Sequence, residues 1–287
     1  MNELIPPVWP APAKLNLFLH VTGRRQDGYH DIQTLFQLID LCDELQIEVT
    51  EAPDIVRPDS DYGVNEQEDL VVKAAKLLQA ETQTRIGARI GVQKKIPLGA
   101  GLGGGSSDAA TTLLVLNDLW QCKLALTDLA RLGAALGADI PVFIHGRNAL
   151  ASGIGDHLAP VDLGQRHYLL VFNRRCVSTA EVFRHPELTR NSSPISLASA
   201  LAGVGRNDCE AVVRKLYPEF ESLMGELEAW GHPHMTGTGS CIFLPMGDEK
   251  TAMSAAREIN CRYNVRAVRG LDRSPVHAML RSTIRNI

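Results

Sequence analysis

The sequence predicts an α+β protein built from two parts, and three observations support this fold class. Apolar residues alternate along positions 11–22, which is the pattern of a β-strand. A glycine-rich stretch at 99–105 is followed directly by apolar residues at helical spacing. From about Gly164 the chain begins a new succession of predicted strands and helices. We therefore expect two domains, at residues 1–160 and 161–287.

Composition and charge favour a globular enzyme. The chain has 287 residues, of which 45% are hydrophobic, enough for substantial cores. The formal net charge of −4 gives no sign of a nucleic-acid or membrane partner, so an anion site would have to be a local arrangement. No signal segment is visible, and no apolar run approaches the roughly 18 residues of a membrane span. We expect a cytoplasmic protein.

The cysteines and a pair of histidines do not predict a metal site. The cysteines are dispersed without a C-x-x-C pair, so neither zinc nor a disulfide framework is indicated. His232 and His234 lack an acidic or cysteine partner at ligand spacing. We expect free thiols at Cys42, Cys122, Cys176, Cys209, Cys241 and Cys261.

The first predicted strand has one face toward the core and one toward solvent. The core face carries Leu15, Leu17, Leu19 and Val21, and the other face carries Lys14, Asn16, Phe18 and His20. An Asp27-Gly28 turn follows it. The apolar segment 32–41 and a separate short strand at 45–49 complete an antiparallel layer.

A helix and a strand are predicted between this layer and the glycines. Residues 53–68 are acidic and irregular, and Asp69 is placed to cap a helix. A strand at 86–93 then leads to the glycine stretch. The apolar positions of the helix are Leu70, Val71, Ala74, Leu77 and Leu78.

The glycine stretch predicts a cradle for a phosphate group. Glycines let backbone N–H groups turn toward one point, and a helix N-terminus attracts an anion through its free N–H groups and its dipole. Ser106, Ser107 and Asp108 are placed as caps of that helix. The buried face of the helix comprises Ala109, Leu113, Leu116 and Trp120.

Three other interpretations of the glycine stretch are open. A Walker-type P-loop is disfavoured because no lysine follows Gly105. A Rossmann loop is disfavoured because 94–97 separates the glycines from the preceding strand and the stretch lies a third of the way along the chain. A glycine loop without any ligand is the third alternative.

Asp139 lies in a connection that would hold its carboxylate in a fixed direction. Thr127 is expected to cap a helix that stops at Gly137. The apolar residues 140–144 are then predicted to form a strand. Pro141 fixes the backbone between the two elements. The alternative is an ordinary turn aspartate.

The second half alternates strands and helices. A strand at 167–172 precedes a turn at 173–175 and a helix from Ser178 to Phe183. A polar linker at 185–196 leads to a helical region broken at Pro218. The remaining predicted elements are a helix ending at Gly231, a small-residue turn at 236–240 entering a strand, a helix at 251–259 and a strand at 265–268.

Four segments together resemble the GHMP kinase superfamily. They are Pro12-Ala13-Lys14-Leu15-Asn16-Leu17 with the strand that follows, Asp27-Gly28-Tyr29-His30, the run from Pro97 through the glycines to Ala110, and Thr236-Gly237-Thr238-Gly239-Ser240. Within the superfamily they are similar to the kinases that act on diphosphocytidyl-methylerythritol in the non-mevalonate isoprenoid pathway. The resemblance implies a ribosomal-protein-S5-like α/β N-terminal domain, a ferredoxin-like C-terminal α+β sandwich and an active site in the cleft between them.

The resemblance also implies the site. It assigns Lys14 and Asp139 as the catalytic pair for transfer of the ATP γ-phosphoryl group to a substrate hydroxyl, with Mg²⁺ as cofactor and Ser107 as a candidate ligand. The substrate residues would be Asn16, Tyr29, His30, Thr179 and Phe183, with Tyr29 and Phe183 stacking on cytosine and His30 at its edge. ATP phosphates would lie on Leu98, Gly99, Ala100, Gly101, Leu102, Gly103, Gly104, Gly105, Ser106, Ser107 and Asp108.

The implied partner is a small molecule, with no nucleic acid or membrane, in a monomer or homodimer. One departure from the family pattern is Asp69-Leu70, where such kinases often have Asn-Leu beside the adenine. The alternatives are a sister kinase acting on mevalonate, homoserine or a sugar, and a non-catalytic nucleotide-binding protein of the same fold. The presence of both Lys14 and Asp139 counts against the latter.

Overall fold

The computed structural model describes residues 7–58, 62–173 and 177–284, and within them it confirms an α+β fold. Ten strands form one sheet with helices packed against it. The strands are β1 (Val8–Arg24), β2 (His30–Thr50), β3 (Ile55–Val56), β4 (Gly87–Gln93), β5 (Ala149–Ser152), β6 (His157–Pro160), β7 (His167–Phe172), β8 (His234–Met235), β9 (Ile242–Met246) and β10 (Asn264–Leu271).

The helices comprise two groups, one in each half of the chain. The first half carries α1 (Leu70–Thr82), α2 (Gly104–Leu119), α3 (Leu126–Ala134) and α4 (Ile140–His145). The second carries α5 (Thr179–Arg184), α6 (Leu197–Leu201), α7 (Glu210–Leu216), α8 (Pro218–Leu227), which continues into a 3₁₀ turn (Glu228–Trp230), α9 (Glu249–Ile259) and α10 (Pro275–Ile284).

Strand β2 organises the sheet. The main path runs β3-β4-β2-β10-β7-β9-β8, while β1 and β5 also pair with β2. Every pairing is antiparallel except that of β3 with β4. Strand β10 joins the two halves, because Gly270 and Leu271 pair with Ile39 and Leu38 while residues 264–269 pair with β7.

Strand β1 is buried on both faces, so the prediction of a solvated face was wrong. Lys14, Asn16, Phe18 and His20 are all 5% exposed or less. Phe18 packs with Leu35 and residues of the chain beyond 160, which a single-strand pattern cannot anticipate. Register irregularities along the pairing with β2 also interrupt strict alternation. The polar residues of this strand therefore lie inside the molecule.

The predicted strands 32–41 and 45–49 are one continuous strand of 21 residues. Asp43, which lies between the two predicted strands, is fully buried within β2. Its Oδ1 accepts hydrogen bonds from the backbone N–H groups of Lys95 and Ile96. The carboxylate is thus satisfied by the segment that leads into the glycine loop.

Three helix boundaries differ from prediction. Helix α2 begins at Gly104 with Gly103 as its N-cap, so Ser106, Ser107 and Asp108 lie inside the helix rather than capping it. The left-handed backbone of Gly103 (φ 72°) lets the chain enter the helix earlier. Helix α3 is capped by Ala125 rather than Thr127 and ends before Gly137.

Residues 140–144, which were expected to form a strand, belong to helix α4. Short apolar runs do not distinguish a buried helix from a buried strand, and Pro141 is well suited to a first helical turn. Asp139 is the N-cap residue of this helix. Its backbone is held at the start of the helix, while its carboxylate makes no capping hydrogen bond to α4.

Other predicted elements are confirmed within a few residues. Asp69 caps α1 through a hydrogen bond from the Val71 N–H, and Ser178 caps α5. Pro218 separates α7 from α8. Residues 174 and 175 of the predicted turn lie outside the described residues, and α10 was not predicted.

Two large apolar cores lie on the sheet. One joins α1–α4 to β1, β2 and β4, and it also includes Val276 of α10. The other joins β7 and β9 to helices α7–α9. The domain boundary at 160/161 stays a prediction from the sequence.

The described ranges contain no helix long and apolar enough to span a membrane and no cluster of three metal-ligating side chains. Five cysteines are free thiols, as predicted, and the sixth, Cys176, lies outside the described residues.

Candidate active site

A cleft of about 430 Å³ opens where β1, the glycine loop and the start of α4 meet the second half of the chain. Lys14 and Asn16 line it from β1, and Asp139 lines it from α4. Residues 96–106 form one wall, while Thr179, Phe183, Gly237 and Thr238 face it from the other half. Segments that are distant in sequence therefore meet at one cavity.

The glycine loop is held open between β1 and the 236–241 turn. The Lys14 N–H donates to Leu102 O at 3.0 Å, and the Cys241 N–H donates to Ala100 O at 3.2 Å. Gly101 has φ 75°, and a Cβ there would lie 2.3 Å from Thr236 O, so only glycine fits.

The loop ends at a helix N-terminus suited to an anion. Gly103, the N-cap of α2, has no side chain to satisfy the first N–H groups of the helix. Gly104, Gly105 and Ser106, the first helical residues, line the cleft. Free N–H groups and the helix dipole together favour phosphate at this point.

Lys14 and Asp139 form an ion pair in the cleft. Lys14 Nζ lies 3.3 Å from Asp139 Oδ2, and the lysine side chain is 4% exposed while the aspartate is 33% exposed. The ammonium also donates to Gly101 O at 3.1 Å and to Asn16 Oδ1. The buried cation is thereby held in place, while the carboxylate keeps a face open to the cleft.

Asn16 belongs to a buried hydrogen-bond network. Its Oδ1 accepts from Lys14, and its Nδ2 donates to Thr34 Oγ1 at 2.9 Å. Its backbone N–H donates to Thr236 Oγ1 at 2.9 Å, which connects β1 to the second half of the chain. Asn16 thus lines the cleft and also orients the lysine.

The structure brings only part of the predicted base-binding set to the cleft wall. Phe183 and Thr179 line it, and Thr179 shares a 2.9 Å hydrogen bond with Thr238. His30 does not line the cavity, but its ring lies 5.2 Å from the Phe183 ring, tilted by 34°. Tyr29 does not line the cavity either, and it is 62% exposed in the loop before β2.

Ser107 and Asp108 lie beneath the loop rather than on the cleft surface. Ser107 Oγ is buried without a hydrogen-bond partner among the described residues. Asp108 Oδ2 accepts from Lys94 Nζ at 2.7 Å. Burial raises the pKa of the Asp108 carboxyl, although the Lys94 charge opposes this.

A buried charge cluster formed by Lys94, Asp43 and Asp108 was not predicted from the sequence. The Lys94 ammonium contacts both carboxylates, and Asp43 also binds the backbone at the start of the loop. The cluster therefore ties β2 and α2 to the loop base. Its members are separated by 51 and 14 residues in sequence, so no local pattern could have revealed it.

Comparison with known proteins agrees with this architecture. The model of the GHMP kinases N terminal domain matches residues 69–147, and that of the GHMP kinases C terminal matches residues 187–265. The 4-diphosphocytidyl-2-C-methyl-D-erythritol kinase of Shewanella baltica is 44% identical over 269 residues, or 93% of this chain and 95% of that protein. The chain belongs to the 4-diphosphocytidyl-2-C-methyl-D-erythritol kinase family of GHMP kinases.

Further relatives support membership of this kinase family. The kinase of the same name from Chromohalobacter salexigens is 46% identical over 94% of this chain and 93% of its own. A crystal structure of 4-(cytidine 5′-diphospho)-2C-methyl-D-erythritol kinase superposes with a TM-score of 0.79 at 34% identity, covering 92% of this chain and 99% of that one. The mevalonate kinase of Methanococcus jannaschii shares only the fold, at 16% identity and a TM-score of 0.67.

Proposed function

We propose that this GHMP kinase transfers the γ-phosphoryl group of ATP to the 2-hydroxyl of 4-diphosphocytidyl-2-C-methyl-D-erythritol, which yields the 2-phosphate and ADP. Family membership supports the substrate class. The observation that carries the chemistry is the Lys14–Asp139 pair, 3.3 Å apart in the cleft beside the glycine loop. A cation, a carboxylate and an anion cradle are the parts that phosphoryl transfer requires.

Asp139 would act as the proton acceptor. The attacking hydroxyl must lose its proton as it bonds to phosphorus, and a carboxylate facing the cleft can take that proton. The Lys14 ammonium lies 3.3 Å from this carboxylate and would offset negative charge that develops on the transferring group. Asn16 and Gly101 O hold the lysine in position for this task.

The glycine loop would bind the ATP phosphates. Residues 98–106 line the cleft, and the free N–H groups at the start of α2 face an anion without a competing side-chain cap. Ser107 and Asp108 are buried beneath this wall, so the glycines and Ser106 would make the direct contacts with ATP. Asp69 caps α1 and pairs with Arg57, so it supports the adjacent helix rather than presenting a free carboxylate.

The described residues fit a magnesium ion that is bound mainly by phosphate and water. Mg²⁺ prefers oxygen ligands and keeps several waters, so it needs few protein groups. Ser107 Oγ, the ligand that the resemblance implies, is buried beneath the loop and does not line the cleft, so phosphate and water would supply most of the ligands. The ion would neutralise charge on the transferred phosphate.

The cytosine end of the substrate would lie against Phe183, with Tyr29 as the second ring and His30 at the base edge. Phe183 and Thr179 line the cleft, and His30 contacts Phe183. Tyr29 is exposed, so its ring would have to move against the base when substrate binds. Asn16 would contact the methylerythritol part beside the reacting hydroxyl.

An ADP-release assay with parallel substrates tests the proposed function. Purified full chain with ATP is offered 4-diphosphocytidyl-2-C-methyl-D-erythritol, mevalonate or homoserine in separate reactions. We expect turnover of the cytidine compound alone, because Phe183, Tyr29 and His30 have no base to bind in the other two. Turnover of mevalonate or homoserine without turnover of the cytidine compound would show that the chain is a sister kinase.

Replacing Phe183 with alanine is expected to raise KM for the cytidine substrate about tenfold while the KM for ATP changes little. Stacking on one aromatic face is worth roughly 1–3 kcal/mol per base and acts as a binding contribution. Steady-state kinetics with each substrate varied in turn measures both constants. Phe183→Tyr keeps the ring and should stay near the wild type, and an increase confined to ATP would place the base elsewhere.

A further inference from the structure

Arg190 lies behind the predicted base-binding residues, on the segment that follows α5. Its Nε donates to His30 Nε2 at 3.1 Å. Its Nη2 donates to the carbonyl oxygens of Phe183 at 2.9 Å and His185 at 2.8 Å, and its Nη1 donates to Leu188 O at 3.1 Å. One half-buried side chain therefore connects the start of β2 to the end of α5.

The bond from Arg190 determines which nitrogen of His30 carries a proton. A guanidinium only donates hydrogen bonds and stays protonated, so His30 Nε2 must accept with its lone pair. The single proton of the neutral imidazole then lies on Nδ1. No hydrogen bond from Nδ1 to the described residues competes with a ligand.

The charges around His30 favour this neutral ring. Burial lowers its pKa, and the positive charges of Arg190 on the α5 side and Arg24 on β1 lower it further. These two arginines are the charged groups that bear on the ring within the described part of the chain. The imidazole is thus neutral at physiological pH, with one N–H to offer.

A fixed N–H donor distinguishes two pyrimidine bases. Cytosine presents acceptors at N3 and O2, whereas uracil presents a donor at N3. A donor opposite N3 pairs with cytosine and leaves two N–H groups facing each other with uracil, and an unpaired buried donor is costly. The tautomer of His30 can therefore decide which base the site accepts.

We propose that Arg190 is a positioning residue that holds His30 as its Nδ1–H tautomer and thereby sets a preference for cytosine over uracil in the substrate. The inference rests on the proposed function, which assigns the base to this pocket. The same guanidinium binds the Phe183 carbonyl, so it also fixes the backbone that carries the stacking ring. Lysine, with one ammonium, could not reach all four acceptors in the same fork geometry.

The tautomer is tested by NMR on the full chain without substrate. Long-range ¹H–¹⁵N correlation spectra of the histidine rings show which nitrogen is protonated, and loss of signals in His30→Gln assigns them. We expect Nδ1–H in the wild type at neutral pH and a shift toward Nε2–H in Arg190→Met. Arg184→Met, exposed in the last turn of α5, is the matched control and should keep the wild-type pattern. A wild-type His30 protonated on Nε2 would overturn the proposal.

The specificity is tested by kinetics. The ratio of kcat/KM for the cytidine substrate to that for its uridine counterpart should fall about tenfold in Arg190→Met, mainly through KM, with kcat within about threefold of wild type. Arg190→Lys, which can still donate to His30, should retain part of the preference. An unchanged ratio in Arg190→Met, or an equal rise of both KM values, would reduce Arg190 to a structural support and overturn the proposal.

The two experiments separate this inference from the proposed function. If the wild type turns over neither nucleotide, the proposed function fails, while the NMR result still decides the tautomer. If Arg190→Met does not fold, the wild-type spectrum and the Arg190→Lys ratio decide instead. A partly retained preference in Arg190→Lys together with Nδ1–H in the wild type would support the proposal, whereas Nε2–H in the wild type would overturn it.

Discussion

Asp139→Asn is expected to lower kcat by about a hundredfold or more while ATP binding stays close to wild type. Removal of a positioned general base commonly costs two to four orders of magnitude in rate, because the substrate hydroxyl loses its proton acceptor. Asparagine keeps the size of the side chain and its place at the start of α4. Steady-state kcat and calorimetric ATP affinity measure the two effects separately.

Asp128→Asn is the matched control, since Asp128 is exposed in the first turn of α3, away from the cleft. It should leave kcat unchanged. Wild-type turnover in Asp139→Asn would exclude Asp139 as the proton acceptor. A large loss of ATP affinity with unchanged kcat would instead place the carboxylate in nucleotide binding.

Among the substitutions considered, Lys94→Met is expected to lower the free energy of unfolding the most. The Lys94 ammonium contacts Asp43, which is fully buried, and Asp108, which is 2% exposed. Without the cation, two carboxylates face each other in the interior, and breaking a buried ion pair from one side typically costs about 3–5 kcal/mol. Denaturant unfolding at neutral pH measures the loss.

The stability lost in Lys94→Met is expected to depend on pH through the Asp108 carboxyl. Burial raises the pKa of Asp108 in the folded state above its ordinary value. When the pKa of an acid is higher in the folded state than in the unfolded state, the free energy of unfolding falls as the pH rises toward the folded-state pKa. Protonation of the acid at lower pH restores this stability. Without Lys94 the pKa would rise further, so the stability difference between Lys94→Met and wild type should narrow as the pH falls from about 8 toward about 5.5.

Lys95→Met provides the matched control for this prediction. Lys95 pairs with Glu44 at the surface, where it is 39% exposed, so its removal should cost at most about 1 kcal/mol. A Lys94→Met protein as stable as Lys95→Met would show that the buried cluster does not hold the loop base. A difference that widens on acidification would contradict the assigned role of Asp108.

The sequence alone indicated the segments of the site but not their packing. The glycines, Lys14 and Asp139 were recognised from local pattern and resemblance, and the structure brings all three to one cleft. Burial of both faces of β1 was missed, because the second covering layer comes from residues beyond 160. Alternation along one strand indicates that its two faces differ in polarity, but it does not predict which other segments pack against each face.

The missed elements share a physical cause. Helix α4 was taken for a strand because the five-residue apolar run 140–144 fits either period. The continuity of β2 through Asp43 was missed because the partners of this carboxylate, Lys94 and the N–H groups of Lys95 and Ile96, lie 51 to 53 residues away in the sequence. Arg190 escaped notice for the same reason, since its bond to His30 spans 160 residues. Polar contacts between residues that are distant in the sequence produce no periodic pattern from which they could be predicted.

The most direct test of the phosphoryl-transfer site is ³¹P NMR of a completed reaction with ATP, Mg²⁺ and 4-diphosphocytidyl-2-C-methyl-D-erythritol. The Lys14–Asp139 pair beside the glycine loop predicts one new phosphomonoester signal, coupled to the methylerythritol carbon that bears the 2-hydroxyl, with the diphosphate signals of the substrate unchanged and ADP formed in equal amount. ATP consumed only to inorganic phosphate, or a phosphomonoester on another hydroxyl, would contradict the account.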